Sequence, residues 1–353
     1  MLIQMKQLLF SILFLFGFLV DAQEINGGPV NIPADGVIDG VYIQEHTPTK
    51  RLVPYEFVRE SDVMFSKRVW RTIDLREKIN HPLYFPFDHY TGGGIWVKNT
   101  TRWSLWTVLK HHIMKGDLIM YDNENPNEMG TFDGDLFKYP VYPAPGKNFE
   151  TDSLFKNEVF RLIAQTTQKI DAATGAPVVK TDPITGEPIM KLNPTTNVEE
   201  PVLEDPTVSW VCSEDIVEYR LKEDWFFDKE RSQLDCRILG IAPVVYADNE
   251  LKFIPNANPG NKVITSKKIL FWLYFPHCRF VLVNYNIYNP KNDAQWMSFD
   301  DLFNKRQFNS TIYKQSNTFD RTIDTYKSGV EALYESQRIT EELRNFEHDL
   351  WQF

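Results

Sequence analysis

Two stretches of this chain, 162 residues apart, repeat one another, and a repeat of that span governs how the rest is organised. The offset puts Glu56 on Glu218, Phe57 on Tyr219, Asp62 on Asp224, Phe65 on Phe227 and Lys67 on Lys229. A one-residue deletion then brings Asp74 onto Asp235, Arg76 onto Arg237 and Pro82 onto Pro243. Roughly a quarter of the aligned positions are identical, and chance similarity is the alternative to duplication. Further on, Ser104-Leu105-x-x-Val108-Leu109 resembles Ser298-Phe299-x-x-Leu302-Phe303. The expected architecture is α+β: two related small modules, 55–150 and 213–315, joined by a hairpin-rich connecting segment, 151–212.

Within the first module the run from Glu56 mixes apolar residues with opposite charges. It reads as a helix through Ser61–Phe65, followed by a strand through Val69–Asp74 or a continued helix; period alone does not separate these. Asp74-Leu75-Arg76 and Asp235-Cys236-Arg237 place a carboxylate and a guanidinium on one face of a strand. Two structural ion pairs are expected there, with a ligand site as the alternative. Gly92-Gly93-Gly94 precedes the strand-like Ile95-Trp96-Val97, which marks a hairpin turn; a phosphate loop leads instead from a strand into a helix. Ser104 and Gly116 bracket a helix with Leu105, Val108, Leu109, His112 and Ile113 as its buried stripe. Ile269–Phe275 is a seven-residue apolar run stopped by Pro276, which predicts a buried strand.

The connecting segment carries D-x-x-T-G-x-P-Φ-Φ-K twice, at 171–180 and 182–191. Each copy is a turn followed by a short strand, giving a projecting ribbon or, alternatively, a flexible linker. Residues 23–54 are rich in Pro and Gly with no helical period, and predict an extended arm, disordered or laid along a neighbouring subunit. Residues 316–353 predict a long C-terminal amphipathic helix from Arg321, with Ile323, Tyr326, Val330 and Leu333 on one stripe. After a phase shift Ile339, Leu343, Phe346, Leu350 and Phe353 form another. Phe346, Leu350, Trp351 and Phe353 are candidate partner contacts.

Residues 1–22 combine Lys6, an apolar run from Leu8 to Val20 and a small residue at Ala22, the pattern of a secretory signal cleaved between Ala22 and Gln23. The run is short of the ~20 residues of a membrane-spanning helix. No cysteine lies at the cleavage point, so this signal does not predict a lipoprotein. Export implies an oxidising compartment, yet Cys212, Cys236 and Cys278 allow one disulfide at most, with three buried thiols as the alternative. The net charge of -10 disfavours nucleic acid and direct attachment to anionic lipid. Aromatic residues make up 14% of the chain, and composition alone does not say whether they fill cores or contact partners.

No nucleophile elbow, zinc-protease helix, P-loop or dinucleotide fingerprint is present. His111 and His112 are adjacent, so they project differently from a helix and do not make an i, i+4 metal pair. The oxygen-rich Asp122–Asn125 and Asp133–Asp135 lack the ordered spacing of a calcium loop and read as solvated turns. The sequence predicts no catalytic, cofactor or metal site.

The stretch RESDVMFSKRVWRTIDLREKINHPLYFP, residues 59–86, with KEDWFFDKERSQLDCRILGIAP, 222–243, resembles the GldN/PorN family of gliding-motility and type IX secretion proteins of Bacteroidetes. That resemblance implies a periplasmic, non-enzymatic structural component. It implies association with an outer-membrane lipoprotein, GldK/PorK, in rings on the periplasmic face of the outer membrane. The periplasmic domain of the motor protein GldM/PorM is the other implied partner. A periplasmic glycan-binding or glycan-hydrolysing protein is the alternative class, and it needs clustered exposed tryptophans beside two carboxylates.

Overall fold

A computed structural model describes residues 50–91, 94–128, 130–167, 207–246, 267–292 and 294–350, with Val41 and short stretches at 179–180, 190–192 and 199–201. The fold is α+β. Its centre is an eight-stranded antiparallel sheet built from β1 (Val63–Asp74), β2 (Met120–Asp122), β3 (Pro140–Val141), β4 (Ile216–Asp228), β5 (Gln233–Tyr246), β6 (Lys267–Ile269), β7 (Phe271–Tyr274) and β8 (Thr311–Gln315). The spatial order is β8-β1-β4-β5-β7-β2-β3, with β6 also paired to β5.

The two repeated stretches lie side by side in this sheet. β1 pairs antiparallel with β4, in the register Val69↔Glu223, Arg71↔Leu221 and Asp74↔Glu218. Under the 162-residue offset, Val63–Asp74 falls on 225–236, where the chain ends β4, turns and begins β5. Similar residues thus serve an unbroken strand in one stretch and a hairpin in the other, and both contribute to one sheet. The helix expected over Ser61–Phe65 is a single 3-10 turn, Glu60–Asp62, and the strand begins at Val63. Alternation is lost in β1 because Val69, Trp70 and Arg71 are all buried, both faces of the sheet being covered at its centre.

One face carries the main core. Ile73, Tyr219, Leu221, Ile241, Phe271 and Leu273 pack beneath α1 (Leu105–Lys115), α2 (Ser153–Ile163), α3 (Phe275–Leu282) and α4 (Phe299–Asn304). α1 starts where its cap predicts, the Ser104 hydroxyl accepting from the Thr107 amide at 3.2 Å, and it stops at Gly116, whose φ of 92° closes the turn. Its five-residue stripe is buried, and so are Trp106, Thr107 and Lys110, so α1 runs through the interior instead of lying on it. Ile269–Phe275 folds as the end of β6, the buried β7 and the first residue of α3, where Pro276 suits the first turn.

The other face is smaller: Trp70, Ala242 and Trp272, flanked by Tyr121, Phe137, Ile269 and Tyr313. Gly134 fits against the Asp122–Asn123 backbone, where any Cβ would overlap it, and this lets the loop carrying Phe137 close over the sheet.

α5 (Val330–Leu350) covers the β8 edge, where Ile339 and Leu343 join Val69 and Ile312. The helix expected from Arg321 begins nine residues later, because Gly329 turns the chain at φ 58° after a 3-10 turn at Ile323–Thr325. Of the first expected stripe only Ile323 is buried; Tyr326, Val330 and Leu333 face solvent. In the connecting segment Ala164–Thr167 pairs with Thr207–Trp210, so the segment departs and returns at adjacent points. The two turn-strand units fall mostly outside the described residues, although Met190–Leu192 pairs with Glu199–Pro201. Ala22 and Gln23 also lie outside them. Among the described residues no helix is long and apolar enough to cross a membrane.

Candidate functional site

The carboxylates and cations singled out in the sequence have local partners. Asp74 accepts from the backbone amide of Arg76 at 2.9 Å and from its Nε at 3.0 Å, holding the Asp74 carboxyl below its ordinary pKa chiefly through that guanidinium bond. Asp235 and Arg237 stand 4.0 Å apart, at the limit of an ion pair, and Arg237 donates instead to the Glu56 carbonyl and stacks on Tyr55 and Phe226. The two oxygen-rich loops meet, but their acids are occupied: Asp122 by Arg161, Asp133 by Lys138, and Asp135 by Trp70 and Lys222. Among the described residues no three His, Cys, Asp or Glu side chains are grouped to hold a metal ion.

The three cysteines are free thiols. Burial raises the thiol pKa of Cys212 to about 11 and of Cys278 to about 12, and burial with the Glu223 carboxylate holds Cys236 well above its usual value. None is a thiolate nucleophile at neutral pH. The closest approach to an acid-base relay is His112, bonded through Nδ1 to Asp117 at 2.7 Å and through Nε2 to the Tyr285 hydroxyl at 2.8 Å. It borders a cavity of about 480 Å³. Tyr285 is buried and stacked on Trp103, so the relay ties the end of α1 to the loop after α3.

Two interior clusters set charged groups against aromatic rings. Lys110 is fully buried, donates to the Val211 carbonyl at 2.8 Å, and is enclosed by the rings of Tyr90 (4.6 Å), Trp96 (5.0 Å), Trp210 (5.3 Å) and Trp106 (6.0 Å). Burial pulls its pKa down to about 8. Glu223, equally buried, receives Arg71 Nε at 3.0 Å, Arg306 Nη2 at 3.0 Å and Trp225 Nε1 at 3.1 Å, so β1, β4 and the loop after α4 meet at one carboxylate. Of the eight described tryptophans, Trp70, Trp103, Trp106 and Trp272 are buried and Trp96, Trp210, Trp225 and Trp296 are half-buried, so none offers the fully exposed ring that the glycan reading looks for.

Two surfaces are built differently. On α5, Val330, Leu333 and Tyr334 are each more than half exposed. The second is a groove of about 740 Å³ between the turn at His81–Tyr84, the loop at 99–102 and the stretch 288–307 that includes α4. Its floor includes buried Met297 and Leu302, and its rim carries exposed Ile79, Phe85 and Tyr288. Lys78, His81, Arg102, Lys291 and Arg306 line it, and among the described residues no Asp or Glu does. Of the expected contacts in the tail, Phe346 stacks on Phe65 of its own chain at 4.0 Å and Leu350 ends α5; Trp351 and Phe353 lie outside the described residues. The groove escapes sequence reading because its residues come from three stretches far apart in the chain.

A family model described as gliding motility associated protein GldN matches residues 58–352. No curated protein matches the chain.

Proposed function

The chain belongs to the GldN family, components of the gliding-motility and type IX secretion machinery, and from that premise we propose that it is a non-enzymatic structural part of that machine in the periplasm. Its leader, residues 1–22, supports export with cleavage between Ala22 and Gln23. Attachment to the periplasmic face of the outer membrane comes through a lipoprotein of the GldK/PorK type, with the periplasmic domain of a GldM/PorM-type motor protein as second partner. Heterologous contacts between copies close the complex into a ring.

The observation that carries this reading is the family match over nearly the whole described body, joined to an interior whose charged groups are answered within the chain, Glu223 by two guanidiniums and Lys110 by a carbonyl and a ring enclosure. The thiols are protonated, Asp122, Asp133 and Asp135 are bonded to cations, and exposed apolar surface remains. Of the expected tail contacts, those beyond Phe346 are left for capture, since that ring packs on Phe65.

Co-expression with the outer-membrane lipoprotein tests the proposal. The two are expected to co-purify, and removal of residues 347–353 is expected to weaken capture while leaving the thermal transition in place. Recovery of the full chain without any lipoprotein, from membranes that contain both, contradicts it.

A further inference from the structure

The cationic groove is unusual in a chain of net charge -10, and most of its cations lack a carboxylate partner among the described residues. Among the described residues no carboxylate lies within ion-pair distance of Lys78, Arg102 or Lys291, whereas Arg306 at the groove's edge is held by Glu223. Arg102 stands 5.2 Å from the Tyr288 ring, so its charge is held beside the apolar rim. A ligand for this surface needs apolar side chains for Met297 and Leu302 and carboxylates spaced along it.

This chain contains such a segment. Between Gln23 and Thr49 it has four acids, Glu24, Asp35, Asp39 and Glu45, and no Lys or Arg. The part Val37-Ile38-Asp39-Gly40-Val41-Tyr42-Ile43-Gln44-Glu45 alternates apolar pairs with acids. It joins the body at Lys50, whose backbone amide donates to Asn284 at 2.8 Å and whose Nζ donates to Asn286 at 2.7 Å. Val41, nine residues before that anchor, is wholly exposed, so the arm at this point does not rest on its own body. Nine residues reach at most about 30 Å, enough to meet a closely apposed neighbour.

We propose that residues 37–45 of one copy dock in the groove of a second copy, Asp39 and Glu45 meeting the cations and the apolar residues meeting the floor. The contact is heterologous, each copy giving an arm and receiving one, so it propagates through an assembly. It deepens the structural reading above, but it concerns the chain alone and its test omits the lipoprotein, so either idea can fail without the other.

The test uses sedimentation of the chain from Gln23 over a concentration series. Wild type is expected to self-associate, and both deletion of residues 23–49 and the double variant R102E/K291E are expected to weaken association tenfold or more at low salt. Circular dichroism melts of each confirm folding; the second variant keeps the arm, so a folding defect in the deletion does not decide the matter. Mixing the two variants is expected to give dimers and nothing larger, because one intact groove meets one intact arm. Wild type that stays monomeric, or variants that associate as wild type does, overturns the proposal. A labelled 36–46 peptide that binds the arm-deleted chain while wild type is a monomer also overturns it, placing the arm in its own groove.

Discussion

The enclosure around Lys110 and the groove around Arg102 use the same materials in opposite ways. Both set cations against aromatic rings, yet Lys110 is sealed among Tyr90, Trp96, Trp106 and Trp210 with a carbonyl acceptor, while Lys78, Arg102 and Lys291 stand over an open apolar floor. The first is complete within one chain. The second lacks the acidic half that would complete it, and the difference marks where the protein is built to meet another surface. The Glu223 cluster belongs with the first kind: a buried carboxylate answered by two guanidiniums and an indole.

The contrast is broken most directly at Glu223. E223A leaves Arg71 buried without its acid, and a loss of about 3–5 kcal/mol is expected in chemical denaturation. A loss under about 1 kcal/mol would show that the closed clusters are not needed to hold the sheet.

Lys110 sharpens the comparison through pH. Its pKa is about 8 in the folded chain and 10.5 when unfolded, so the unfolded state binds more protons between those values and folding gains stability as pH rises through them. Below about 8 the burial cost is fully present. Relative to K110M, which lacks the titration, wild type is expected to gain about 3 kcal/mol between about pH 7 and 10.5. Equal pH dependence in the two chains would mean that Lys110 is not desolvated. The groove sits at the other extreme: R102E/K291E is expected to change the stability of the monomer by no more than about 1 kcal/mol, because among the described residues neither charge meets a carboxylate and Arg102 only flanks the Tyr288 ring.

Legibility follows the same division. α1 can be read from Ser104 and Gly116 because caps are local signals, and β7 from an apolar run ended by Pro276. β1 cannot be separated from a helix by period, since Arg71 is buried in mid-strand with its acid 152 residues away. Spacing misplaces the start of α5 because Ile323 sits in a 3-10 turn, buried against Val69, Ile312, Ile339 and Leu343, and is not itself part of the α5 stripe. The Lys110 enclosure draws on residues from 90 to 210, and the groove on residues from 78 to 307, so neither leaves a contiguous pattern. The acidic arm is legible in composition; its complement is not.

The mass of the particle recovered from membranes with the lipoprotein partner tests the central claim, that this is a structural component whose open surfaces serve assembly. The account predicts a closed particle holding many copies of the chain. A particle holding a single copy would contradict it.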